Sequence, residues 1–328
     1  MRELSDEFRI FLKKFASPLN RFLSLVFLGL FLMLLPPQNA YSTWEIPEGK
    51  PIVRQLPRQL AELADLPEPD IYPVNGANIQ LPWLSARSVI VVDVDSKAVL
   101  FSKYPDWQLH PASTTKMMTA LVAFENYDLT ETVTVGDLNN SYGQSMKLES
   151  GDQLTVENLL YGLLVQSGND AALVLADHFP EGYQAFIEKM NQKAKELHLS
   201  QTFFKNPSGI ESLGHVSTVH DLVLLGAEVI KNQTLAEMVA LPAVVVTDTT
   251  GEKDYQLTNI NQLVGRTPGV KGIKTGWTEN AGECLVTLVE RNGHQVIIAL
   301  LGSSDRFGET KIIIDWIFAN HQWQEIGD

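Results

Sequence analysis

Residues 88–94 (SVIVVDV) are β-branched and apolar and read as a buried strand. Asp95-Ser96-Lys97 supplies a turn, and residues 98–102 return as the hairpin partner. The rhythm then changes. Pro111 opens a helix that runs to about Glu125, and helical patterns follow over 155–165, 170–178, 183–197 and 218–231. The last begins with Thr218 and has Asp221 three residues on, a pairing like a capping box, with Asp221 capping its own helix. Strand patterns resume over 269–276, 283–291 and 295–301, with Asn292-Gly293 as the turn between the final pair. A closing helix spans about Glu309 to Phe318. Two strands, a helical middle, then three strands and a helix predict one mixed sheet assembled from both ends of the domain, with an inserted helical lobe. A cleft between sheet and lobe is the natural place for a site.

The first 85 residues are of another kind. From Phe22 to Leu35 the chain is apolar except for Ser24 and Gly29, behind a flank carrying Arg2, Arg9, Lys13, Lys14 and Arg21. As a helix this run would span ~21 Å against a hydrocarbon core of ~30 Å, short for a membrane span and suited to the core of a secretory signal. Ala40-Tyr41-Ser42 offers small residues for a cut after Ser42. Residues 1–42 are therefore read as a signal peptide or an N-terminal membrane anchor. Either one places the rest of the chain outside the cytoplasm. Residues 36–82 hold nine of the 16 prolines, too many for a long helix or strand, and 43–85 is read as a linker or strap. The main domain is expected over 86–328.

Charge narrows the function. The formal net charge is −14, a poor match for phosphate backbones, so nucleic acid is not an expected partner. The single cysteine, Cys284, cannot form an internal disulfide or a cysteine zinc site and is read as a small buried side chain. The seven histidines show no ligand spacing and are read as structural or surface residues.

Three short motifs carry chemistry. Ser113 and Lys116 lie three apart at a helix start and share a face. A serine hydroxyl needs a base beside it, and a lysine can be that base only when neutral; a helix N-terminus and a second cation both favour the neutral form. The apolar setting of Thr114 and Met117 to Leu121 suits burial. Ser167-Gly168-Asn169 falls in the break between two apolar helices, where a hydroxyl can relay a proton and an amide can hold a peptide carbonyl. Ser-Gly-Asn-Asp is also ordinary turn and N-cap chemistry. Lys274-Thr275-Gly276, followed by Trp277, sits on a predicted strand, where a lysine and a hydroxyl side by side suit a carboxylate. Gly276 removes a side chain where a substrate backbone could lie.

In this order, with the flanking text of 88–125, 159–177, 204–226 and 269–286, the motifs resemble those of the D-alanyl-D-alanine carboxypeptidases, the low-molecular-mass penicillin-binding proteins. The resemblance covers roughly 86–320. It implies a β-lactamase/DD-peptidase-like α+β fold, with an antiparallel five-stranded sheet flanked by helices and an inserted helical lobe. It implies a serine peptidase that removes the terminal D-alanine from peptidoglycan stem peptides, needs no metal or cofactor, and is acylated by β-lactam antibiotics. By resemblance Ser113 is the nucleophile, Lys116 its base and Ser167 a proton relay. Asn169 positions substrate, and Lys274 and Thr275 hold the terminal carboxylate. Lys274 also helps keep Lys116 neutral, and the backbone amides of Ser113 and Trp277 form an oxyanion hole. Many members carry a further β-rich domain and a C-terminal amphipathic anchor. Only 52 residues follow Gly276, so both are expected to be absent and any anchoring to come from the N-terminal segment. The same residues would serve a DD-endopeptidase cutting cross-links, which the sequence does not separate from a carboxypeptidase. A β-lactamase is disfavoured, because no glutamate-containing loop for deacylation is apparent. A silent wall-binding module is disfavoured by the complete set of motif side chains.

Overall fold

The computed structural model describes residues 71–325 apart from Asn140. The strands are β1 (Ile71–Val74), β2 (Ser88–Asp93), β3 (Val99–Lys103), β4 (Thr132–Thr134), β5 (Gln153–Thr155), β6 (Ala243–Thr247), β7 (Asp254–Thr258), β8 (Val270–Thr278), β9 (Gly282–Arg291), β10 (His294–Ser303) and β11 (Gln322–Glu325). The helices are α1 (Lys116–Asn126), α2 (Val156–Leu164), α3 (Asn169–Asp177), α4 (Gly182–Glu196), α5 (Val219–Lys231), α6 (Gln233–Ala240) and α7 (Arg306–Asn320). A 3-10 turn, Ala112–Thr115, leads directly into α1.

The central sheet has the order β3-β2-β10-β9-β8. It is not mixed, as the hydrophobic pattern alone suggested: every neighbouring pair is antiparallel. Consecutive strands are joined by tight turns, as at Asn292-Gly293, where both residues have positive φ, and β2 joins the C-terminal strands by lying against β10 with Val91 opposite Ile298.

The long apolar runs have a simple cause. The inner strands are covered on both faces, so successive residues are buried in opposite directions. Along β10, Ile297, Ala299 and Leu301 enter the core shared with the helical lobe. The alternate Val296, Ile298 and Leu300 enter a second core with Ile313, Ile314 and Ile317 of α7. Each valine, leucine or isoleucine among them contributes ~1.5–3 kcal/mol on burial, which makes register costly to slip.

Several short elements escaped the sequence pattern: β1, the hairpins β4–β5 and β6–β7, α6, and β11. β1 pairs antiparallel with β11, from Ile71 opposite Glu325 to Val74 opposite Gln322. Trp316 Nε1 donates to Ile79 O at 2.8 Å. Glu309 accepts from the backbone N–H groups of Ser85 and Ala86. The folded unit therefore begins ahead of the expected start at 86, and residues 71–85 are laid onto the domain. The expected leader or anchor at 1–42, and the linker from 43 to 70, lie outside the described residues. Among the described residues no helix is long and apolar enough to cross a membrane. The N-terminus of α5 differs from the capping box: Thr218 Oγ1 accepts from Asp221 N at 3.0 Å, but the Asp221 carboxylate turns away. It accepts instead from Gln201 N and Thr202 Oγ1, tying the 201–202 turn to α5.

Candidate active site

Ser113 sits on the 3-10 turn, not within a regular helix as expected from Pro111, and Lys116 is the first residue of α1. Ala112 has φ 48°, a left-handed residue that sends the chain sharply from Pro111 into the turn. Thr114 Oγ1 donates to Pro111 O at 2.7 Å and closes the turn. His215 is buried, and burial together with the nearby His110 pushes its pKa down to about 4. It is thus neutral; its Nδ1 accepts from Lys205 N at 3.4 Å, so the proton lies on Nε2, which donates to Thr115 Oγ1 at 2.9 Å.

The 206–210 loop closes the other side of Lys116. Thr119 Oγ1 donates to Pro207 O at 2.5 Å. Gly209 has φ 85°, and a Cβ there would meet Ala112 O at 1.9 Å, so only glycine lets this loop lie against the 3-10 turn. Lys116 Nζ lies 2.9 Å from Ser113 Oγ, 2.6 Å from Asn169 Oδ1 and 2.7 Å from Ser208 O. None of the three partners is charged. Burial is the main force lowering the Lys116 pKa well below the usual lysine range, with Lys274 second and Asp170 opposing. The sequence pointed to the helix end and the second cation; the larger cause is the missing water. A neutral amine fits these partners: two N–H groups donate to the two carbonyl oxygens, and the lone pair faces the Ser113 hydroxyl.

Asn169 opens α3, and its Nδ2 donates to Tyr142 O at 2.5 Å. The N-cap of α3 is Gly168 and has no side-chain cap, and Asp170 in the first turn serves another purpose. Its buried carboxylate accepts from Met146 N, Leu148 N and Ser145 Oγ, holding the 142–148 loop against the helix. Ser167, with φ 60°, is buried, and its Oγ has no hydrogen-bond partner. An orphan buried hydroxyl is uncommon, and Ser167 is also among the residues that line the cleft.

β8 supplies the opposite wall. It is an edge strand of the central sheet, with outward backbone groups left for a ligand to pair with. Lys274 is 1% exposed, and its pKa is lowered to about 7 by burial and by Arg306. Its Nζ donates to Thr275 O at 3.1 Å, and Thr275 Oγ1 donates to Cys284 O at 3.2 Å. Gly276 has a nearer reason than substrate for lacking a side chain: a Cβ would come within 2.6 Å of Ser113 N and 3.2 Å of Thr114 N. The strand and the 3-10 turn touch there. Trp277 is 61% exposed at the rim.

A cleft of about 1130 Å3 gathers Ser113, Ser167, Asn169, Thr275, Gly276 and Trp277, with Lys116 and Lys274 buried behind its wall. All eight residues singled out in the sequence converge here. Arg306, which the sequence reading missed, also lines the cleft; its Nη1 donates to Gly276 O at 3.2 Å and lies 3.6 Å from Glu283 Oε1. An arginine in the first turn of a helix after an Asp N-cap carries no local signal of a site. Cys284 is fully buried, its thiol pushed up to about 12 by burial, and is not a nucleophile.

Comparison with known proteins decides the family. Residues 76–305 match the family model described as D-alanyl-D-alanine carboxypeptidase. The chain belongs to this family. It is 32% identical over 246 residues to the D-alanyl-D-alanine carboxypeptidase DacF of Bacillus subtilis, covering 72% of this chain and 63% of that protein. It is 33% identical over 268 residues to the D-alanyl-D-alanine carboxypeptidase DacB2 of Mycobacterium tuberculosis, covering 79% and 90%. The crystal structure of the Streptomyces K15 DD-transpeptidase superposes with a TM-score of 0.69 at 31% identity, covering 74% of this chain and all of that one. The matched region thus spans just under two thirds of the Bacillus relative and nearly all of the mycobacterial one.

Proposed function

We propose that the chain is a serine-type D-alanyl-D-alanine carboxypeptidase acting on peptidoglycan stem peptides outside the cytoplasm. The observation that carries the reading is the buried Lys116 amine, 2.9 Å from Ser113 Oγ with uncharged partners only. Neutral Lys116 takes the Ser113 proton as Oγ attacks the carbonyl between two D-alanines. The N–H groups of Ser113 and Trp277 receive the oxyanion. As the C–N bond breaks, the proton passes by way of Lys116 and Ser167 to the departing amine, and D-alanine leaves. Water then hydrolyses the Ser113 ester and restores the hydroxyl. Asn169 holds the peptide, while Lys274, Thr275 and Arg306 form the cationic end of the cleft that takes the terminal carboxylate. β-Lactams would acylate the same Ser113 and persist as the ester. The test is to incubate purified protein with diacetyl-L-Lys-D-Ala-D-Ala and measure free D-alanine, and to label it with a fluorescent penicillin. Wild type should do both and Ser113→Ala neither, with an unchanged melting curve. Persistent labelling of the folded variant would remove Ser113 from this role.

A further inference from the structure

A second cavity of about 330 Å3 adjoins the cleft, and Gln262 and Arg266 line both. Its wall brings together Arg266, Arg291 and Lys311 against a single carboxylate, Asp315, in a chain of net charge −14. Arg266 and Lys311 are exposed and Arg291 is half-buried, so the concavity is a locally basic patch on an acidic molecule, open to an anion from solvent. Arg291 is held in place: its Nε donates to Pro268 O at 3.0 Å, and its guanidinium lies 5.4 Å from the Phe318 ring centre. Its Nη1 stands 3.7 Å from Asp315 Oδ1, too long for a hydrogen bond. Among the described residues Arg266 and Lys311 have no ion-pair partner within 4 Å.

The cavity's position says which part of a substrate reaches it. Arg306 and Phe307 are successive residues in the first turn of α7. Arg306 faces the cleft beside Gly276; Phe307 lines the second cavity. The cavity therefore lies beyond the Lys274–Thr275–Arg306 end, where the departing residue carries its carboxylate.

We infer that this cavity is a subsite for a second carboxylate on the leaving side of the scissile bond. The inference rests on the peptidase reading above. A single D-alanine has only one carboxylate and leaves the subsite empty. A departing amine that continues into a chain with further carboxylates, as in a cross-linked peptide, fills both. The bonds made and broken are unchanged: the Ser113 ester forms, the C–N bond breaks, the amine leaves protonated and water closes the cycle. The subsite adds affinity for long acidic leaving groups and extends the substrate class from free termini to cross-links.

The test uses the full chain and donor peptides diacetyl-L-Lys-D-Ala-X, with X as D-Ala, D-Glu, D-Gln, D-2-aminoadipate or its side-chain amide. The readout is kcat/KM for each acid divided by that for its own amide, a ratio in which general damage cancels. For wild type the ratio should be about fivefold for at least one acid length, falling as salt is raised, as expected of partly exposed ion pairs. In Arg266→Gln/Lys311→Gln it should fall to about one. A wild-type ratio of one at both lengths, with D-Ala still released, would overturn the subsite and leave the peptidase reading standing. A ratio unchanged in the double variant would also overturn it. Failure on every X would overturn the peptidase reading and this inference with it.

Discussion

Replacing Gly276 by alanine tests whether β8 positions the nucleophile. The added Cβ would lie 2.6 Å from Ser113 N, 3.0 Å from Ala112 Cβ and 3.2 Å from Thr114 N. Comfortable contacts begin near 3.5 Å, so turn and strand must separate by about 0.9 Å. All three clashing atoms belong to the backbone or to a Cβ, so no side chain can swing aside. Overpacking of this kind costs about 1–3 kcal/mol of stability, or roughly 2–10 °C in Tm for a domain of this size. The larger effect falls on chemistry, because a displacement approaching 1 Å at a reacting group costs about 10²-fold. The expected outcome for Gly276→Ala is thus a roughly hundredfold slower acylation by a fluorescent penicillin, measured by stopped time points, with a Tm a few degrees lower by calorimetry. Gly136→Ala is the matched control, since a Cβ there meets nothing within 4 Å; it should leave both readings alone. Wild-type acylation by Gly276→Ala would refute the argument that the strand holds Ser113 by direct contact, whatever the Tm did.

Three further outcomes are expected. Lys116→Arg should lose at least two decades of acylation rate by penicillin labelling, because a guanidinium cannot give up its proton to become a base; a near-normal rate would remove Lys116 as the base. Lys274 has a folded pKa of about 7 against an ordinary 10.5, so between those values the unfolded chain binds more protons and stability rises with pH. Calorimetry of Lys274→Gln should show a flatter Tm rise from pH 7 to 10 than wild type, and an identical slope would contradict the lowered value. Thr275→Val should reduce kcat/KM on a free-acid peptide by about one decade while leaving the already poor C-terminally amidated peptide little changed; equal losses would deny Thr275 a part in binding the carboxylate.

The parts of the fold legible in the sequence were those with strong periodicity. Inner strands buried on two faces leave unbroken apolar runs, and α2 and α5 bear Thr155 and Thr218 as side-chain N-caps. Short two-stranded ribbons such as β4–β5 bury one residue in three of each strand, Val133 and Leu154, and leave almost no pattern. The site divides the same way. Its side-chain chemistry was visible as three motifs. The groups that complete it, Ser208 O and Tyr142 O, are backbone carbonyls that any residue would supply. Arg306 and Lys311 of α7 join Arg291 of β9 and Arg266 of the loop before β8 only when the chain folds.

The pairing of β1 with β11 also determines how the molecule responds to force. Ile71 and Glu325 are partners in register, so the described chain enters and leaves the fold at the same end of one two-stranded ribbon. A load drawn between those ends opens the four pairs one after another, like a zip, and does not shear them together. Trp323, in the third pair, fastens the ribbon to the central sheet: its Nε1 donates to Asp93 Oδ1 of β2 at 2.8 Å, and its ring stacks on His294 of β10 at 4.3 Å. The first two pairs, Ile71 with Glu325 and Tyr72 with Gln324, open before load reaches that clasp, so the ribbon yields ahead of the five-stranded sheet that carries Lys274 and Thr275.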